Sequence, residues 1–330
     1  MFPLAQPFVP HPLLRNAHLM TIAAAFWPRR FPALPAPEPR LLEIATGVRL
    51  RLDCHWQRER SAPPTRRRGH GLEGSSESHY ILGTAEKAWR AGFNVVRMNV
   101  RNCGKTEHLS LTLYHSGLSG DIEAVAQHLL DVEALRELHL AGFSMGGNMI
   151  LKQAGEWSGN APRAIRSVAA VSPALDLARC ADALERRANL LYQWWFVRGL
   201  KARLQRKAEL FPNLYDPREL DRVRTVREFD EIYTAPHFRF ESAANYYARA
   251  SALRLVERIA VPTLIITAQD DPVVPFDSFR HPALIGNPQV TLLAPAHGGH
   301  AGFLGRDSDS EDRFWAENRI LEFCRFHSSR

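Results

Sequence analysis

The sequence predicts an α/β fold: a mostly parallel sheet covered by helices on both faces, with a helical lid inserted late in the chain. Three observations carry this prediction. Short apolar runs bounded by turn residues recur along the 330 residues, at 41–45, 48–52, 93–100, 137–141, 167–172, 262–268 and 289–293. Patterns of helical spacing fall between them at 78–91, 119–130, 147–157 and 311–326, and each can close a right-handed crossover. About ninety residues separate the runs at 167–172 and 262–268, far more than an ordinary connection, and they are aromatic, basic and helically patterned.

In chain order, residues 1–40 come first, with Pro3, Pro7, Pro10, Pro12, Pro28, Pro32, Pro35, Pro37 and Pro39. Proline fixes φ and removes a backbone donor, so this arm should wrap over the domain without joining its sheet. The domain proper is expected over 41–330, with the lid at about 178–258. One segment conflicts with the scheme. A doubly covered sheet needs a central apolar strand just before His70, yet residues 61–69 hold two prolines and three arginines, from which no buried strand can be built, and whether a third strand forms there stays open.

Composition narrows the function classes. With 45% hydrophobic and 23% charged residues the chain is an ordinary globular protein, which excludes disorder and fibrous repeats. The excess of 42 Lys+Arg over 35 Asp+Glu gathers in runs such as Arg66, Arg67, Arg68 and Arg198, Lys201, Arg203, Arg206, Lys207. Without a nucleic-acid motif these runs read as solvated faces, so no nucleic-acid partner is expected. Cys54, Cys103, Cys180 and Cys324 are far apart, with no pair at metal-ligand spacing. They read as reduced thiols of a cytoplasmic protein, with neither a disulfide framework nor a metal. The first residues carry no Lys or Arg before Arg15, and their longest apolar stretch is short, which predicts neither a secretory leader nor a membrane span.

The chemistry centres on Gly142-Phe143-Ser144-Met145-Gly146, a G-x-S-x-G string between a predicted strand and a predicted helix. Such a serine sits on a sharp turn above the sheet edge, at the positive N-terminus of the following helix. Serine needs a base to take its proton, and the base needs an acid to fix its tautomer. Both follow downstream in the order Ser, Asp, His. Asp270 and Asp271 end the run at 262–268, and Asp271 is preferred because it lies in the loop beyond the strand, before Pro275. His297 and His300 follow the last strand; His300 is preferred because Gly298 and Gly299 let the loop swing its imidazole toward the serine. An oxyanion hole would use the N–H of Met145 and a second from His70-Gly71-Leu72-Glu73-Gly74, assigned to Leu72. Tyr192, Trp194, Trp195 and Phe196 form a bulky cluster in the lid that suits an acyl pocket, a lipid surface or simple packing.

Together these residues resemble the YheT-like branch of the α/β-hydrolase superfamily, which includes lipid-directed hydrolases and medium-chain acyl ester-forming enzymes. The resemblance runs through Asn16-Ala17-His18-Leu19-Met20-Thr21, His70 to Ser75, Tyr114-His115-Ser116-Gly117 with Asp121, and Gly142 to Asn148. It continues through Phe229-Asp230-Glu231, Tyr246-Tyr247, Asp270-Asp271-Pro272 and Gly298 to Phe303. Two positions depart from the pattern: Met20 replaces Gln, and Asn102 replaces Gly. The resemblance implies Ser144, Asp271 and His300 as the triad, and a small acyl ester, short- to medium-chain or lipid-derived, as substrate. It also implies no metal or organic cofactor, and it leaves room for lipid contact through the lid. Two other readings use the same residues: acyl transfer to an alcohol, and a catalytically silent binding protein built on this fold.

Overall fold

The computed structural model describes residues 6–58, 65–69, 75–308 and 310–328. Among the described residues eight strands form one sheet: β1 (Glu38–Ala45), β2 (Val48–His55), β3 (Thr65–Gly69), β4 (Asn94–Met98), β5 (Leu138–Phe143), β6 (Ile165–Val171), β7 (Thr263–Ile266) and β8 (Val290–Leu293). Their spatial order is β1-β2-β4-β3-β5-β6-β7-β8. β1 and β2 are antiparallel to their neighbours, and the run from β4 to β8 is parallel. Every residue of β5 and of β7 is buried, and apart from the buried His139 and Thr263 neither strand holds a polar side chain. β1 alternates between half-buried and exposed residues, as an edge strand with one wet face should. The expectation that the proline-rich arm stays off the sheet is corrected at its end: Glu38, Pro39 and Arg40 open β1, and Pro39, opposite Asp53, is accommodated because an edge strand can spare a donor.

The polar segment before His70, from which the sequence alone builds no buried strand, does form one, β3. Its backbone pairs in parallel with β4 on one side, Arg68 opposite Arg97, and with β5 on the other, from Thr65 opposite Leu138 to Gly69 opposite Gly142. Ladders on both sides bond its backbone, and that bonding is indifferent to side-chain polarity.

Helices cover both faces. α2 (His79–Arg90) and α11 (Trp315–His327) pack on one face, where Ile81, Ala85, Ile320 and Phe323 meet Ala141 and Phe143 of β5. α3 (Ser119–Asp131) and α4 (Met145–Trp157) pack on the other, where Ile122, Val125 and Met149 meet Leu138 and Leu140. The period-two alternation of β5 thus feeds two cores. Before the sheet the chain forms α1 (Ala17–Phe26), whose N-cap Asn16 accepts the N–H groups of His18 and Leu19. Between β6 and β7 lie α5 (Leu177–Leu184), α6 (Leu190–Leu210), α7 (Val226–Phe229), a π-helical turn (Asp230–Thr234), α8 (Ala235–His237) and α9 (Ala243–Ala250). The short α10 (Pro282–Ile285) separates β7 from β8. Asn102, the departure from glycine, sits at φ 63° and donates to the Thr112 carbonyl at 2.9 Å, a left-handed geometry asparagine tolerates.

Candidate active site

Ser144 ends β5 and precedes α4, with φ 50° and ψ −118°. Local packing explains the glycines around it. A Cβ on Gly142 would stand 2.5 Å from the Gly146 carbonyl oxygen, and one on Gly147 would stand 3.0 Å from the Pro173 Cβ. Only bare backbone lets the turn close this tightly. Met145 is the first residue of α4, where an α-helix leaves its N–H groups without intrahelical partners.

The structure brings Ser144, His300 and Asp271 together. His300 Nε2 lies 2.9 Å from Ser144 Oγ, and its Nδ1 lies 2.9 Å from Asp271 Oδ2. The Asp271 side chain is fully shielded from solvent, and its Oδ1 accepts the Val273 and Val274 N–H groups, each at 2.9 Å. A carboxylate so placed takes the Nδ1–H of the imidazole, which leaves Nε2 as the acceptor facing the serine hydroxyl. The backbone N–H of His300 donates to Thr21 Oγ1 at 2.8 Å, and Gly299 passes so close to α1 that a Cβ would stand 2.6 Å from the Ala17 carbonyl. The neighbouring residues pair with each other instead: His297 Nδ1 is 3.1 Å from Asp270 Oδ2, and the Gly299 N–H donates to Asp270 Oδ1 at 3.0 Å. Leu72 and the rest of residues 70–74 lie outside the described residues, so of the two expected oxyanion donors only Met145 is placed.

Ser144 stands where two cavities meet. The smaller, of about 100 Å³, runs beneath the inserted helices past Tyr114, His115, Leu200, Asp230 and Tyr246. His115 and Asp230 in it carry shifted acidities. Burial, reinforced by the Arg101 and Lys152 charges, pushes the His115 imidazole down to about 3, and its Nδ1 accepts the Gly117 N–H at 3.0 Å. Burial lifts the Asp230 carboxyl to about 6, against hydrogen bonds from Thr234 and Tyr247 that favour its charge. The larger cavity, of about 520 Å³, opens between α1 and α6 past Phe26, Tyr192, Trp194, Trp195 and His300.

Sequence reasoning gave Asp230 and Tyr246 no role and did not foresee α1 at the site. The signal for α1 was local: Asn16 as a cap, an apolar stretch, then Trp27-Pro28 as a stop. Asn16 caps α1, and His18 Nδ1 lies 3.1 Å from the Tyr192 hydroxyl. The basic run on α6 is only partly a solvated face, since Arg203 and Lys207 are buried and Arg206 pairs with Glu107. All four cysteines are buried, and none is in a disulfide.

A family model for the alpha/beta hydrolase fold matches residues 70–307. YheT of Escherichia coli (strain K12) is 30% identical over 98% of this chain and 94% of its own length. Phospholipase ABHD3 of Mus musculus is 28% identical over 80% of this chain, and medium-chain fatty acid ethyl ester synthase/esterase 2 of Saccharomyces cerevisiae is 30% identical over 77%. The matches cover 66% and 60% of those two proteins, so the chain spans less than two thirds of either. Among solved structures, Pyrococcus furiosus esterase Pf2001 superposes with a TM-score of 0.56 at 18% identity, over 89% of this chain and 94% of that one. Est1E of Butyrivibrio proteoclasticus, with ferulic acid bound, gives 0.56 at 17%, over 87% and 98%.

Proposed function

Since the chain belongs to the α/β-hydrolase family, in its YheT-like, esterase/lipase-type branch, we propose that this carboxylic ester hydrolase works through an acyl-enzyme on Ser144. The single observation carrying the mechanism is the unbroken relay of 2.9 Å contacts from Ser144 Oγ through His300 to the buried Asp271. His300 Nε2 removes the hydroxyl proton as Oγ attacks the ester carbonyl. The Met145 N–H faces the oxygen that becomes negative, with the Leu72 N–H as the proposed second donor. His300 then protonates the leaving alcohol. In the second half of the cycle water gives His300 its proton and attacks the acyl carbon; the bond from that carbon to Ser144 Oγ then breaks, His300 returns the proton to Oγ, and the acid leaves. Asp271 holds the imidazole in the required tautomer throughout.

The two cavities suit the two halves of an ester. The narrow, mostly apolar one beneath the inserted helices fits a short to medium acyl chain, and the wide one admits the alcohol moiety or a lipid-derived group. The experiment is labelling with a fluorophosphonate together with turnover of p-nitrophenyl esters of increasing acyl length. Wild type should be labelled and active, and Ser144→Ala should lose label and at least about a thousandfold in kcat. Equal turnover by the two proteins refutes the mechanism. The name of the yeast relative favours a second reading, transfer of the acyl group to an alcohol, and the width of the larger cavity is compatible with it. Added ethanol should then divert product from free acid to ethyl ester.

A further inference from the structure

The mouth of the larger cavity is framed by two helices whose outward faces are apolar. On α1 these are Leu19 and Phe26, two turns apart; on α6 they are Leu190, Leu191, Trp194 and Trp195. Each of the six is more than half exposed. The rings of Phe26 and Trp195 meet at 6.5 Å, which joins the two faces into one patch around the opening. Connected aromatic and aliphatic surface of this kind marks an interaction site.

The surroundings of the patch are basic. α1 contains no acidic residue and α6 only Glu209, near its far end. Arg15 precedes α1, Arg30 follows it, Arg187 precedes α6, and the Arg198 guanidinium stands over the Trp194 ring at 5.5 Å; all four are exposed. We propose that this face docks on an anionic lipid bilayer. Trp194 and Trp195 would lie at headgroup depth, where the amphipathic indole is favoured, with the arginines against lipid phosphates. The leucines and Phe26 bury shallowly, and the cavity leading to Ser144 then opens onto the acyl layer. No helix among the described residues is long and apolar enough to cross a membrane. The contact is made by a surface, and it holds whether or not the proposed triad is the machinery.

The test is flotation of the full chain carrying Ser144→Ala, so that vesicles stay intact, with phosphatidylcholine alone and with about 30% phosphatidylglycerol added. Expected is binding at least about tenfold stronger to the anionic vesicles, reversed by high salt and accompanied by a blue shift of tryptophan emission. Leu19→Glu with Leu190→Glu, neither of which lines the cavity, should cost about tenfold in flotation while p-nitrophenyl acetate turnover in the otherwise wild-type chain is retained. If that variant misfolds, Arg15→Glu with Arg187→Glu carries the same expectation on anionic vesicles. No flotation of the parent, undiminished flotation of the variants, or a dimer that Leu19→Glu with Leu190→Glu splits would overturn the proposal, the last by giving the face to a second copy. Absent ester turnover in wild type would instead count against the catalytic reading alone.

Discussion

Two adjacent carboxylates part company after β7. Asp271 turns inward, shielded from water, with Oδ1 accepting two backbone amides and Oδ2 making the shorter of its two contacts to His300 Nδ1. Asp270 turns along the surface loop, where it ties His297 to the Gly299 amide. In the proposed mechanism only Asp271 stabilises the imidazolium, and Asp270 shapes the loop that carries it. Asp271→Asn would place an amide where the Nδ1–H needs an acceptor, and the opposite tautomer would then present N–H to the serine. Its kcat should fall by about ten-thousandfold, the cost known when a triad acid is neutralised in this way. Asp270→Asn should cost less than about tenfold, since it removes charge from a turn and leaves both 2.9 Å contacts in place. Steady-state kinetics on one p-nitrophenyl ester decide the matter, and the reverse ranking would move the acid role to Asp270.

The strand-turn-helix unit β5-Ser144-α4 is the element that makes the serine available, and its tolerance is measured in tenths of an ångström. Gly142→Ala sets a methyl group 2.5 Å from the Gly146 carbonyl oxygen, against backbone that is anchored by the sheet on one side and α4 on the other. Urea unfolding should show a loss of about 1–3 kcal/mol, the usual cost of overpacking, together with slower fluorophosphonate labelling. An unchanged midpoint would mean that the turn can open. This element was legible in the sequence because its geometry admits almost no other residues, so the motif and the geometry are nearly the same information. The fully buried strands β5 and β7 were legible for a related reason, since burial on both faces demands an apolar run. β3 was not, because what holds it is written in its neighbours: the ladders to Leu138–Phe143 and Asn94–Met98 bond its backbone whatever its side chains are. α1 was hidden differently, by prolines that flank the helix without interrupting it.

Over the whole molecule, Ser144, Asp271 and His300 come from the ends of β5, β7 and β8, while the N-terminal segment braces the last of them from outside. Phe8 packs on Phe303 and Trp315 with ring centroids at 5.8 and 5.3 Å, and Arg29 forms a two-pronged ion pair with Glu317 of α11. Met20 is fully buried, its sulfur accepting the Leu304 N–H, and Thr21 Oγ1 accepts the N–H of His300 itself. The imidazole therefore hangs from a loop whose backbone is held by α1, about 280 residues earlier in the chain. Thr21→Val keeps the volume and removes the acceptor, which leaves the His300 amide without its partner. One such hydrogen bond is worth about 1 kcal/mol, or about fivefold in rate if it is felt at the imidazole. Expected is a fivefold lower kcat with KM changed by less than about twofold, and recovery in Thr21→Ser, which restores the oxygen. A purely structural threonine would lower the unfolding midpoint without separating kcat from KM. Wild-type kcat in Thr21→Val would show that residues 298–303 hold His300 without help from α1.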